Sequence, residues 1–417
     1  MAIQPPLWRL FPPPDSRLIL PDKGTHPRQV ISAGGHVELS RRYFWAKGKA
    51  GLYPVDQALG IDRDGPITPG AVQMMVRMGI VGDFRQGAAD LKQIGGVTVS
   101  REKLRQVVEG EGESAQQTRV SGAVSASWSE KDAVVEDPPG KGKTRLYVGS
   151  DGVFVPTVTQ VEKDKRRKAQ GVRRQRRSAT GVGNTRELPP ARPGTEEKSR
   201  EMKIGVLYDQ DKKHRHVFAT EKPCENFGPL LKTFANQVGF DRADQTISLS
   251  DGAKWIYTQV CSALLTLKAI LLDFYHLSEH LHATAGVCLG EGTEAAASWV
   301  KARLEEIKTL GSSAVLAAIE ALDKQTRSGA KKKSLRSLRE YLISRLDMTD
   351  YRTALANGWD IGSGPTEAMC KNLTLRLKRP GMKWDPGHAA AMMNLIALYE
   401  SGQALAYHRH RANRLAA

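Results

Sequence analysis

This sequence of 417 residues is poor in cysteine, short of acidic residues, and without long apolar runs. Its four cysteines, Cys224, Cys261, Cys288 and Cys370, are scattered. They form no Cys-x-x-Cys pair, which argues against a disulfide framework and fits a reducing cytosol. No apolar run approaches the roughly 18 residues needed to span a bilayer. The first 20 residues carry Pro5, Pro6 and Pro12 to Pro14 and lack the apolar core of a signal peptide. The expectation is a soluble cytoplasmic protein with no membrane partner. A Gly-x-Ser-x-Gly turn, a Walker loop and a dinucleotide glycine motif are also missing. Acidic residues number 45 against 62 Lys and Arg, a formal net charge of +17. Because the positive charge is clustered, it points to a polyanionic partner whose counterions are released on binding, and nucleic acid fits better than a mere aid to solubility.

A chain of this length is expected to divide into two or three domains. Residues 1–35 read as an irregular arm, and Val37 to Trp45 as a strand broken by Gly48, Gly51 and Pro54. From Thr68, a cap followed by Pro69, the pattern to Gly112 is helical, with Val72, Met75 and Val76 at helical spacing. Residues 83–112 have the form of a helix-turn-helix hinged at Gly95-Gly96. Its second helix would present Arg101 and Arg105 on one face, although an ordinary two-helix packing unit fits the same pattern. Residues 113–143 read as a linker.

The segment 157–200 carries Arg166, Arg167, Arg173 and Arg174 among many other cations and almost no apolar residues. It reads as a mobile insertion that orders on phosphates, or else as a solvated loop. Around it, Met202 to Tyr208, His216 to Ala219, Gln245 to Leu249 and Lys268 to Leu272 read as strands of a mixed α/β sheet in a core beginning at residue 144. Residues 283–355 read as a helical subdomain whose Lys331, Lys332 and Lys333 form a basic surface. Residues 356–417 read as the terminal helices of the core and a basic tail.

Three acids stand out. Ser-Asp-Gly occurs at Ser150-Asp151-Gly152 and at Ser250-Asp251-Gly252, each closing an apolar run, and Glu367 follows Gly362-Ser363-Gly364-Pro365-Thr366. Asp-Gly between apolar runs is also a favoured hairpin turn, so Asp151 is either a turn residue or part of a continuing strand. Asp251 has the place of a helix N-cap. Pro365 suits a first helical position and puts Glu367 in the first turn, with Lys371, Thr374 and Lys378 continuing the same face and Arg379 beyond. Two magnesium ions need about three rigidly held carboxylates to drive an in-line displacement at phosphorus. Asp273 and His276, after the strand Ile270 to Leu272, are weaker candidates, since two residues make a poor zinc site and composition alone favours a satisfied core histidine.

Together these motifs, with Tyr147-Val148-Gly149-Ser150-Asp151-Gly152, Lys203-Ile204-Gly205-Val206-Leu207-Tyr208, Asp273-Phe274-Tyr275-His276 and Arg376-Leu377-Lys378-Arg379-Pro380-Gly381-Met382-Lys383-Trp384, resemble bacterial insertion-sequence DDE transposases of the Kra type, in the Mutator-like superfamily. The resemblance implies an RNase H-like mixed sheet core with an α-helical insertion, which the 367 − 251 = 116 residues between the second and third acids can hold. A helix-turn-helix-like DNA-binding region is expected ahead of the core from the residue pattern at 83–112. Asp151, Asp251 and Glu367 would be the catalytic, metal-binding triad for two Mg2+, with Mn2+ as a possible substitute. Asp273 and His276 would brace the acids or touch DNA. The partners implied are double-stranded DNA, both terminal inverted repeats and target, and further copies of the chain in a synaptic complex. Where relatives carry cysteines of a zinc-ribbon-like element, Tyr43 to Pro54 has none, so residues 1–67 are expected to hold a degenerate version. A nuclease or resolvase without strand transfer, and a DNA-binding protein without chemistry, are the rival readings.

Overall fold

An antiparallel hairpin opens the described chain. β1 (Asp22–Ser32) pairs with β2 (Gly35–Phe44), Ser32 opposite Gly35 and Asp22 opposite Phe44. The computed structural model describes residues 20–61, 65–136, 142–179 and 193–416; the expectations for residues 1–19 and for 180–192 of the basic segment fall outside them. The described residues group into two units, one of 1–125 with 387–417 and one of 126–386.

Residues 22–32 are thus a strand and not an irregular arm. The sequence hides it because most β1 residues are exposed, so no apolar alternation marks it. Its order comes from the backbone ladder and from a polar cluster. Asp56, buried in the short helix α1 (Pro54–Ala58), accepts from Arg28 at 3.1 Å and Arg41 at 2.5 Å. Tyr43 and Tyr53 stack at 4.6 Å, and the Arg41 guanidinium lies 4.1 Å above the Tyr53 ring.

Three helices follow. Thr68 caps α2 (Pro69–Val81), Asp83 caps α3 (Phe84–Gly95), and Ser100 caps α4 (Arg101–Val120). Gly96 takes the left-handed conformation (φ 64) that ends α3. Met75, Val76, Leu91, Leu104 and Val108 are fully buried. Two helices flank the Gly95-Gly96 break, but α4 runs on through residues 113–120, which are not linker. There it buries Ala115, Thr118 and Arg119.

The second unit holds the sheet. β3 (Val134–Val135) pairs with the start of β4 (Lys143–Pro156), which is followed by α5 (Gln160–Ala179), β5 (Ser199–Asp209), β6 (Arg215–Thr220), α6 (Phe227–Val238), β7 (Gln245–Ser250), α7 (Lys254–Ala263) and β8 (Ala269–Leu272). The spatial order is β6-β5-β4-β7-β8, with β5 antiparallel to its two neighbours and β4, β7 and β8 parallel. This is an open mixed sheet with flanking helices, broadly RNase H-like in architecture. Phe218, Phe227, Leu231, Phe234, Ile256 and Val260 form the core between the sheet and helices α6 and α7.

The insertion comprises α8 (Phe274–Leu289), α9 (Glu294–Thr309), α10 (Ser312–Gln325), α11 (Gly329–Ile343) and α12 (Tyr351–Ala356). It has a core of its own, built from Leu277, Leu281, Val300, Ile307, Ile319, Leu335, Leu338 and Leu342, and joined to the sheet at Leu272. α13 (Gly364–Leu375) then returns to β4 and β5.

Residues 387–417 do not complete this core, contrary to the sequence reading. α14 (Pro386–Glu400) and α15 (Ala404–Ala416) belong to the amino-terminal unit, where Gln403 accepts from the buried Arg119 at 2.8 Å. Burial pulls the pKa of Arg119 down to about 9. Glu111 accepts from Tyr407 at 2.9 Å and Arg411 at 2.6 Å. Among the described residues no helix is long and apolar enough to cross a membrane.

Glu111→Ala leaves Arg411 and Tyr407 without their shared acceptor. The expected result is a loss of about 3 kcal/mol from this unit's unfolding free energy, read by urea denaturation.

Candidate active site

β4 and β7 run parallel in a constant register, Arg145 opposite Gln245 through Gly149 opposite Leu249. Every pair is 100 residues apart, and so are the two aspartates (251 − 151 = 100). The two Ser-Asp-Gly copies therefore leave the paired segment side by side. Asp151 stays within β4, opposite Ile204 of β5, so the first Asp-Gly is not a hairpin turn. Asp251 follows the last residue of β7, and its Oδ1 accepts from the Ala253 N–H at 2.8 Å. It holds the turn before α7 and does not cap the helix, whose N-cap is Ala253.

Asp151 is partly buried, and its Oδ1 accepts from the Gly152 N–H at 2.6 Å. Burial pushes its carboxyl above the ordinary range, and the charges of Asp251 and Glu201 push it the same way, against hydrogen bonds from Gly152 and the Cys370 thiol. Cys370 is buried and its pKa is driven well up, by burial first and then by Asp151. It remains a protonated thiol able to donate to the carboxylate. Sequence reasoning missed both Glu201 and Cys370. Glu201 carries no local signal, but it lies opposite Phe154 in β5, and a Cβ at Gly152 would come within 2.2 Å of its Oε1.

α13 sits on the strand through another glycine. A Cβ at Gly149 would lie 1.6 Å from Thr366 Oγ1, so only glycine admits the first turn of α13 there. Pro365 starts that turn, as its ring favours, and Glu367 follows in it, exposed. Glu367, Cys370, Lys371, Thr374, Lys378 and Arg379 line one hollow of about 540 Å³. Lys371, Lys378 and Arg379 are exposed, whereas Thr374 is buried with its hydroxyl on the Cys370 carbonyl at 2.7 Å. Trp384 donates to the Leu377 carbonyl at 3.1 Å and packs under Arg376, which turns Lys378 and Arg379 outward.

Asp273 is a brace. Its Oδ1 accepts from the Tyr275 and His276 N–H groups at 2.6 and 3.0 Å, capping α8, and its Oδ2 accepts from the Ser363 N–H at 2.7 Å and from the Ser363 hydroxyl. It thereby ties the insertion to the residue that opens α13. His276 is partly exposed, with Nδ1 3.4 Å from Glu279 and its ring 5.1 Å from that of His280. Among the described residues no group of three or more His, Cys, Asp or Glu side chains is gathered to hold a metal ion. Asp251 acts directly on the Asp151 carboxyl, and Asp151 and Glu367 both act on the Cys370 thiol.

The other predicted cations scatter. Arg101 is exposed, but Arg105 is held by Glu102 at 2.6 Å and Glu109 at 2.5 Å on its own helix, so the face proposed for a DNA groove is partly neutralised. Within the segment 157–200, Gln160–Ala179 form the helix α5 and not a loop. Arg166, Arg167 and Arg173 are exposed there and Arg174 partly so. Lys331 donates to the Cys288 carbonyl at 2.6 Å, at the last turn of α8, while Lys332 and Lys333 face outward.

A profile described as an uncharacterised protein family (UPF0236) matches residues 17–187, less than half of the chain. No curated protein matches the sequence. Among solved structures, the Drosophila P element transposase strand transfer complex is similar over 87% of this chain and 86% of that one, at 13% identity and a TM-score of 0.28. That link is distant and partial, and the assignment of the sheet rests on its own strand order and directions.

Gly149→Ala is expected to lower the unfolding free energy by about 2 kcal/mol through overpacking against Thr366, and the double variant Gly149→Ala, Thr366→Gly to recover part of it in urea melts. A carboxyl whose folded pKa is raised binds its proton more tightly in the folded chain. Its contribution to stability is therefore full at low pH and is lost as pH rises through the raised pKa. In EDTA, Asp151→Asn is expected to melt higher than the wild type at neutral pH, with the gap shrinking toward acid pH.

Proposed function

We propose that this chain is a DNA-processing enzyme of the DDE transposase kind, cutting at the ends of a mobile element and joining the freed 3′-hydroxyl to target DNA. The observation that carries this reading is the parallel register that brings Asp151 beside Asp251, with Glu367 on a helix seated on the same strand. The basic balance of the chain and the exposed Lys371, Lys378 and Arg379 beside Glu367 suit a phosphodiester substrate.

The donors are hard carboxylate oxygens, and the raised carboxyl of Asp151 beside Asp251 marks a pair that a divalent cation would relieve. Mg2+, or Mn2+ in its place, would be held by Asp151 and Asp251, with Glu367 the third donor. Bound there, it supplies Lewis acidity to the attacking and leaving oxygens. The chain's own part is to keep Asp151 within β4 beside Asp251 at the end of β7, to donate from Cys370 to Asp151, and to hold α13 in place through Asp273 and Ser363. Lys371, Lys378 and Arg379 bind backbone phosphates.

A duplex carrying the inverted repeats that flank the gene tests the reading. Incubation with Mg2+ is expected to give nicked and then joined products, and Asp251→Asn or Glu367→Gln to reduce both at least about 100-fold. Full activity in Asp251→Asn would refute the assignment. Cleavage without joining would identify a nuclease on the same fold.

A further inference from the structure

Gly252 follows Asp251 with φ +75, and a Cβ there would lie 2.6 Å from Arg345 Nε. The missing side chain lets a guanidinium rest on the backbone beside a candidate acid. Arg345 follows the C-terminal end of α11, so the helical insertion delivers it. Its Nη1 donates to the Tyr341 carbonyl at 3.3 Å and the Ser344 hydroxyl at 2.9 Å, and its Cζ lies 4.1 Å above the Tyr341 ring. Its Nε is buried without an acceptor. The Tyr341 hydroxyl is also buried without a partner, and its ring stacks on His280 at 3.9 Å. Glu279 is the carboxylate beside these rings, and it lies against His276.

A wall of guanidinium, phenol and imidazole therefore stands next to Asp251. Arginine keeps its charge at every working pH, and its planar fork matches phosphate oxygens. Buried donors without acceptors are costly, and an oxyanion of a substrate satisfies them. The acids repel a phosphodiester, so a cation beside them has to draw it in, and Arg345 packs on the backbone of Gly252, next to Asp251.

We propose that Arg345, backed by Tyr341 and His280, is the residue that holds a phosphodiester oxygen of bound DNA beside Asp251. The assignment rests on the DNA-processing reading above. It gives the insertion a binding role in addition to its packing role.

Binding of a short mixed-sequence DNA duplex to the full chain in EDTA, over a series of salt concentrations, tests it. Arg345→Gln is expected to weaken binding about tenfold and to reduce the slope of log K against log salt by about one, while Arg345→Lys keeps the slope. An unchanged slope in folded Arg345→Gln overturns the assignment, and so does an equal loss of slope in Arg345→Lys, which marks a brace. In the wild-type chain the duplex is expected to slow phenylglyoxal modification of Arg345; equal rates with and without DNA overturn the proposal independently of how any variant folds. Wild-type protein that does not bind duplex at low salt defeats the DNA reading itself. Binding that is indifferent to Arg345 defeats only this assignment.

Discussion

The parallel pairing of β4 with β7 is the constraint from which the candidate site follows. Its register brings two aspartates, a hundred residues apart in the chain, onto neighbouring strands, Asp151 within β4 and Asp251 just past the end of β7. Burial raises the carboxyl of Asp151 first, and the like charge of the neighbouring Asp251 pushes it the same way. The backbone ladder holds them there against the repulsion. A strand pairing involves many hydrogen bonds and a shared core, so a single unfavourable charge contact cannot shift it.

Three glycines near the aspartates each admit a different neighbour. Gly149 admits Thr366 at the start of α13, Gly152 admits the Glu201 carboxylate of β5, and Gly252 admits Arg345 from the insertion. The glycine of Ser-Asp-Gly has the look of a turn residue, yet Gly152 lies in a continuous strand. Its use is close approach: the missing Cβ leaves room for a third element against the acids. Asp273 adds the remaining tie, with one carboxylate oxygen on the insertion and the other on Ser363. The orientation of α13, and with it of Glu367, depends on a side chain that touches no other candidate acid.

Much of the element list was legible because burial writes a period into the sequence. The helices of the insertion and the core strands carry apolar residues at the spacing their packing needs. Legibility failed where order comes from other forces. β1 is exposed and held by its ladder and by Arg28 and Arg41 on Asp56. α5 is polar on every side, so no stripe marks it as a helix. Residues 113–120 extend α4 while carrying buried polar groups, among them Thr118 and Arg119, that read as linker composition. Arg105 reads as available from its spacing with Arg101, but Glu102 and Glu109 on the same helix hold its guanidinium.

By itself the sequence determined the types of most elements, the basic balance, and the three acids as candidates, since composition and local periodicity are properties of short stretches. The tertiary structure alone decided that Asp151 is a strand residue beside Asp251, that Glu201, Cys370 and Arg345 share their neighbourhood, and that residues 387–417 fold with the amino-terminal unit. The reason is physical. A strand's local pattern states that it will pair but not with which partner or in which register, because those are settled by the packing of segments far apart in the chain.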